Sequence, residues 1–311
     1  MKSLLIIPLC LAALIASAEP TTKPAQESAS GIRHSFLAFG AETYLMSADG
    51  QITWSYPAGT RDGWLLPSGN VLMAITAGKT YPHGAAIEAT RDGKPVFEFK
   101  GTQSEVNTVQ ALADGRYMLT EAGPHPRILE VDQSGAIKVE VPITAQTKDH
   151  HLQTRMTRKL PNGNYLVPQL LDKVIREYTP EGKIAWEAHT PETPAECWPF
   201  TAIRLDNGNT LVTCTHGLRV LEFDPQAKIV WQLTNADLPS PLLVDPCGAQ
   251  RLANGNTVIT SYGQGSPGAV KLLEVTPDKK LVWTYRDDRK HGIHEFQIID
   301  DEPKAIGNAH R

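Results

Sequence analysis

Cysteine is scarce in this chain: four residues in 311, one of them within the first ten. That excludes a small fold stapled by a dense disulfide framework. Charge of one sign is scarce too. A net charge of −4 leaves no basic footprint, so nucleic acid is not an expected partner. After Ile15 no apolar run approaches the ~20 residues that a bilayer span needs. Helical periodicity is nearly missing. What remains is a succession of short β-branched and aromatic runs punctuated by Gly, Pro, Asn and Asp, which reads as all-β. G-x-S-x-G, a P-loop, a Rossmann fingerprint and H-E-x-x-H are also absent, and with them the chemistries those motifs carry.

The first residues have a pattern of their own. Lys2, the apolar stretch 4–15 and the Ala-Ser-Ala triplet at 16–18 form a secretory signal. Residues 1–18 are therefore expected to be cleaved, and the protein to be periplasmic or secreted. Residues 19–30 (EPTTKPAQESAS) hold no aromatic residue and little that could be buried, so they are expected to be a flexible leader. Residues 31–311 then make a single domain.

Within that domain two phrases alternate. The first is clearest as IRLDNGNTLVT (203–213) and QRLANGNTVIT (250–260), with RKLPNGNYLV (158–167) and two looser copies. Its turn glycines, Gly69, Gly115, Gly163, Gly208 and Gly255, are spaced 46, 48, 45 and 47 residues apart. Asn-Gly or Asp-Gly between apolar runs marks a hairpin. The second phrase, as in IREYTPEGKIAWE (175–187) and LLEVTPDKKLVWT (272–284), is another hairpin. Two hairpins per repeat make a four-stranded unit that cannot bury both faces alone, so neighbours must stack into a ring. The predicted fold is a six-bladed β-propeller of four-stranded antiparallel blades. HEFQIID (294–300) is an unpaired inner strand, and residues 35–56 supply three outer strands before any inner one. The last blade is therefore closed by strands from both termini. Trp54, Trp186, Trp231 and Trp283 recur at one place on the outer strand and are expected to pack between blades. Arg204 and Arg251, with Lys159 at the same repeat position, are expected to be structural.

The second phrase, of the form E-[YFV]-[TD]-P-x-G-K-I-x-W, resembles the tryptophan-docking repeat of quinoprotein-like (PQQ-like) propellers. The NGNTLVT phrase is similar to repeats of bacterial arylsulfotransferase-type propellers. Together they cover nearly all of residues 35–300. The resemblance implies the fold. It does not extend to bound PQQ, because there is no Cys-Cys pair, no matching calcium set, and six repeats where the larger quinoproteins have eight. The arylsulfotransferase likeness implies a channel histidine with nearby arginine and histidine, but no catalytic motif can be matched here by sequence context.

The chain departs from its own repeat in the loops at one rim, 148–155, 192–201, 238–250 and 286–297. Functional groups concentrate on loops held by a rigid scaffold, so that rim, the top, is where ligand-binding residues are sought. The candidates are His151, Arg155, Trp198, His216, Gln250, His291 and His294. Imidazoles can bind a divalent metal or move protons, and His151, His216 and His294 are the metal candidates. Arg155 offers a planar fork for an anion and Trp198 a stacking platform. Cys197 and Cys247 precede inner strands of adjacent blades, and a disulfide between them is the first expectation, with Cys214 an alternative partner for either and three free thiols the remaining alternative. Three functions follow. One is a monomeric binding module for a small molecule, glycan or protein at the channel mouth. The second is an enzyme using channel histidines: an arylsulfotransferase-like transferase, a hydrolase or a metal-dependent lyase. The third is an envelope assembly scaffold.

Overall fold

The computed structural model describes residues 25–193 and 196–300. Residues 1–18, where a signal segment is expected, and residues 19–24 of the expected leader lie outside them. The described residues form six antiparallel sheets arranged as the blades of a propeller, and apart from two short 3-10 turns they contain no helix. Blades one to five span residues 60–100, 105–142, 158–189, 197–234 and 249–287. Blade six is shared as expected. Its inner strand, Ile293–Ile298, pairs with Phe36–Gly40, which leads outward to Thr43–Met46 and Ile52–Tyr56. Phe36 lies opposite Ile298 and Ala38 opposite Phe296, all four fully buried.

The repeated residues have repeated tasks. Each inner hairpin turns at a glycine with φ between 83° and 90°, a conformation that L side chains resist. Each outer hairpin carries a bulge at one register position, occupied by Glu88, Glu130, Glu177, Glu222 and Glu274 in blades one to five. These glutamates are buried and accept from two directions. From the same blade, the Asn-Gly-Asn turn supplies an amide: Asn164 to Glu177 at 2.6 Å, Asn209 to Glu222 at 2.7 Å and Asn256 to Glu274 at 2.6 Å. From the next blade comes a donor: Tyr117 to Glu88, Lys159 to Glu130, Arg204 to Glu177 and Arg251 to Glu222. Arg204, Arg251 and Lys159 are thus seam ties, as read from the repeat. In the fifth seam His34 takes this position, with Nε2 2.9 Å from Glu274. Blade six has Leu45 at the bulge, where it packs in the apolar cluster shared with blade one.

The tryptophans pack between blades and also donate across the seam. Nε1 of Trp54, Trp186 and Trp231 reaches the carbonyl of Arg91, Pro225 and Pro277 in the following outer turn at 3.0, 2.9 and 3.0 Å. Trp283 finds a different acceptor, Gln26 Oε1 at 2.9 Å. Within the segment expected to be a flexible leader, residues 25–27 have a place in the fold. Ala25–Glu27 adds a fifth strand to the edge of blade five, and the Gln26 amide also donates to the carbonyls of His34 and Ala48. The segment lacks apolar bulk, but one glutamine gives it a half-buried place on the seam between blades five and six.

The channel is not hollow. Arg158 forks onto Asp62 at 2.8 and 3.1 Å, and Thr201 donates to Glu295 at 3.2 Å, all of them buried.

Candidate functional site

At the mouth where inner strands begin, five blades surround a cavity of about 370 Å³. That is within the range of small-molecule sites. It gathers five of the seven candidate residues: His151, Arg155, Trp198, His216 and His294. Arg61, Phe200, Asp245, Cys247 and Tyr262 complete the part that bears chemistry.

The loop before blade three is fixed at both ends of a short turn. Asp149 Oδ1 accepts from His151 N at 3.0 Å, and the Gln153 amide is clamped to Gly123 N and O at 2.9 and 3.0 Å. This holds His151 at the cavity edge, where its ring Nδ1 lies 2.8 Å from Glu105 Oε1. Burial pushes the Glu105 carboxyl up, but the His151 hydrogen bond and the charges of Arg61 and Arg155 outweigh it and hold the group down at about 2. Glu105 is therefore ionised and can only accept, so Nδ1 donates to it, and among the described residues Nε2 has no hydrogen-bond partner. Arg61 Nη2 lies 3.3 Å from the other Glu105 oxygen.

Arg155 is in a different condition. It is 2% exposed, and among the described residues its guanidinium hydrogen-bonds only its neighbour's carbonyl, Thr154 O at 2.8 Å. Among the described residues no carboxylate lies within ion-pair distance of it. Burial, then repulsion from Arg61, pulls its pKa down to about 9. His294 stacks on Tyr262 at 4.0 Å and faces Phe200 at 5.9 Å. Burial and the same two arginines lower it to about 3, so the ring is neutral. Trp198 packs on the His216 ring at 4.4 Å, and His216 is held in the left-handed region by Asp245 Oδ1, which accepts from its backbone N at 3.1 Å. The cavity thus has two arginines and a neutral imidazole at its base, and aromatic rings on its walls.

Two candidates fall outside it. Gln250 is buried between inner strands, where its amide brackets Ile298 N and O at 2.8 and 3.3 Å. It holds the closing strand. Gln110 on Lys159 and Gln297 on Leu65 do the same at other seams. His291 is exposed on the loop before His294 and does not line the cavity. The three metal candidates share the cavity without converging. Among the described residues no three His, Cys, Asp or Glu side chains are grouped as metal ligands. The expected Cys197–Cys247 disulfide is not formed either, and all three cysteines are free and buried. Cys197 hydrogen-bonds Cys214 within blade four, while the Cys247 sulfur lies 4.0 Å from Thr215 Oγ1.

Sequence reasoning missed Arg61, Glu105 and Tyr262. The first two stand at or beside the start of an inner strand, in TRDGW (60–64) and SEVNT (104–108). A charged residue at the top end of a strand that otherwise feeds the core was the available signal.

Comparison with known proteins agrees at the level of fold. No family model matches the sequence, and no curated protein matches it. A protein of unknown function from Bacteroides caccae superposes with a TM-score of 0.74 at 23% identity, over 85% of this chain and 98% of that one. A streptogramin B lyase gives 0.61 at 14%, over 89% and 92%. A catalytically inactive histidine-to-alanine variant of virginiamycin B lyase from Staphylococcus aureus, with quinupristin, gives 0.58 at 14%, over 85% and 88%. These neighbours define a six-bladed propeller class and nothing narrower.

Proposed function

We propose that the protein is a binding propeller whose top-face cavity takes a small organic anion, with its charge on Arg155 and Arg61 and a flat apolar part against Tyr262, Phe200 and Trp198. The observation that carries this reading is Arg155, a buried cation with no carboxylate partner. Burying an unpaired charge costs several kcal/mol, and a bound anion would offset that cost. The other Arg–Glu and Arg–Asp pairs of the molecule show what a purely structural arginine looks like here. A neutral glycan would give such a cation no charge to meet. The likeness to arylsulfotransferase-type propellers supports an aryl anion as the ligand class. Export through residues 1–18 would put the site in the periplasm or outside the cell. The lyase activity named for two structural neighbours is not carried over at 14% identity.

Calorimetric titration with benzoate and with benzamide tests the reading. Benzoate is expected to bind at least about tenfold more tightly, and Arg155→Met to abolish the difference, as loss of a charge-assisted fork should. Equal affinity for the two probes, or an unchanged benzoate affinity in Arg155→Met, would contradict it.

A further inference from the structure

We propose that His151 and Glu105 form a general-base pair, which makes this cavity a hydrolytic site for carboxylic esters that carry a separate anionic group. The inference rests on the anion-binding reading above and goes beyond it. Three features of the geometry support it. His151 Nδ1 is committed to Glu105 at 2.8 Å, so the imidazole is held in one tautomer with Nε2 free. The side chain is 55% exposed, on a turn pinned by Asp149 and Gln153, so that edge is open and its position fixed. Arg61 touches both members, 3.3 Å from Glu105 and 3.4 Å from His151 Nδ1, so a cation sits beside the base. A base oriented by a carboxylate, next to a group that can stabilise an oxyanion, is the arrangement acyl hydrolysis needs.

The nucleophile follows from what surrounds the ring. Among the described residues no hydroxyl or thiol of the cavity is hydrogen-bonded to His151. Cys247 is buried against Thr215, and burial pushes its thiol up, away from the thiolate form. The base therefore acts on water. With the ligand's anionic group on Arg155, Nε2 takes a proton from water as the water oxygen bonds to the ester carbonyl carbon. The carbonyl π pair moves to its oxygen beside Arg61. On collapse that pair restores the C=O bond, the bond to the leaving oxygen breaks, and the leaving oxygen takes the proton from Nε2. Ester and water become acid and alcohol or phenol, with no other reactant. Glu105 stays ionised throughout. It is a positioning residue that holds the tautomer and faces the transient imidazolium.

The test uses the full chain with 3-acetoxybenzoate, whose ester and carboxylate are too far apart to react with each other, and 3-acetoxybenzamide as its neutral counterpart. Benzoate binding is measured in parallel. Turnover of the anionic ester is expected to exceed that of the amide at least about tenfold in kcat/KM. His151→Ala should lower kcat about 100-fold or more while benzoate still binds, in line with what one general base contributes. Glu105→Gln keeps an acceptor for Nδ1 but removes the charge, and is expected to lower kcat by a larger factor than it changes KM. If benzoate binds but the ester is not turned over, or if His151→Ala is as active as the parent, the general-base proposal is overturned and the anion site stands. If benzoate does not bind at all, the anion-site reading fails and the proposal fails with it.

Discussion

At the scale of single residues the cavity is marked by a buried arginine that has no carboxylate in ion-pair range among the described residues. Arg158, Arg204 and Arg251 each meet a carboxylate within 2.9 Å, whereas Arg155 meets none. The same field acts on His294. Its folded pKa, about 3, lies below the ordinary value of 6.5, so the folded state refuses a proton that the unfolded chain accepts. The consequence has a definite sign. Nothing is lost at pH 7, and stability falls as pH drops below 6.5, by roughly 1.4 kcal/mol per unit down to the folded pKa. Glu105 adds to this only under stronger acid, between its ordinary 4.5 and about 2, because its depressed pKa stabilises the fold above that window. His294→Phe keeps a ring against Tyr262 and removes the titrating group. It is expected to match the parent near pH 7 and to exceed it by about 2 kcal/mol at pH 5 in urea unfolding. An identical loss of stability on acidification in both proteins would show that His294 is not held neutral. His151, Arg155, Trp198, His216 and His294 were legible in the sequence because they stand in loops that break the repeat. Gln250 stood in the same register and was misread. A glutamine that brackets a neighbouring backbone looks, in sequence, like one that awaits a ligand. The disulfide was misread for a related reason: rim position alone does not say which way a side chain points.

At the scale of elements, the repeat phrases record the seams more than the strands. The glutamate of one phrase and the Asn-Gly-Asn of the other occur together because the turn amide and the next blade's base share one buried carboxylate. That logic also made the closure readable, since a lone inner strand at 294–300 and three outer strands at 35–56 leave each other as partners. The leader strand could not be foreseen from bulk. Its hold depends on Gln26 taking the place of a backbone acceptor for Trp283. The closing strand buries Ile293, Phe296 and Ile298, each worth about 1.5–3 kcal/mol. Their sum is a large part of the 5–15 kcal/mol that holds a domain together. Ending the chain at Lys290 is therefore expected to abolish cooperative unfolding or to lower the thermal midpoint by about 10 °C or more. A truncated protein that melts like the parent would contradict closure by both termini.

At the scale of the whole molecule, the two rims have divided their work. The lower rim carries the regular turns and seam ties, and the plug of Arg158, Asp62 and Glu295 blocks the channel between the rims. The upper rim carries the irregular loops, and five of the six blades contribute to one cavity there. A scaffold this heavily tied can tolerate an uncompensated cation at its mouth, because stability lost at one site is supplied around the ring. The most direct measurement is thermal unfolding of the parent and of Arg155→Met, each with and without saturating benzoate. The account predicts that Arg155→Met melts a few degrees higher without ligand, since it removes an unpaired buried charge, and that benzoate raises the midpoint of the parent alone. An Arg155→Met protein that melts lower than the parent and is still stabilised by benzoate would contradict it.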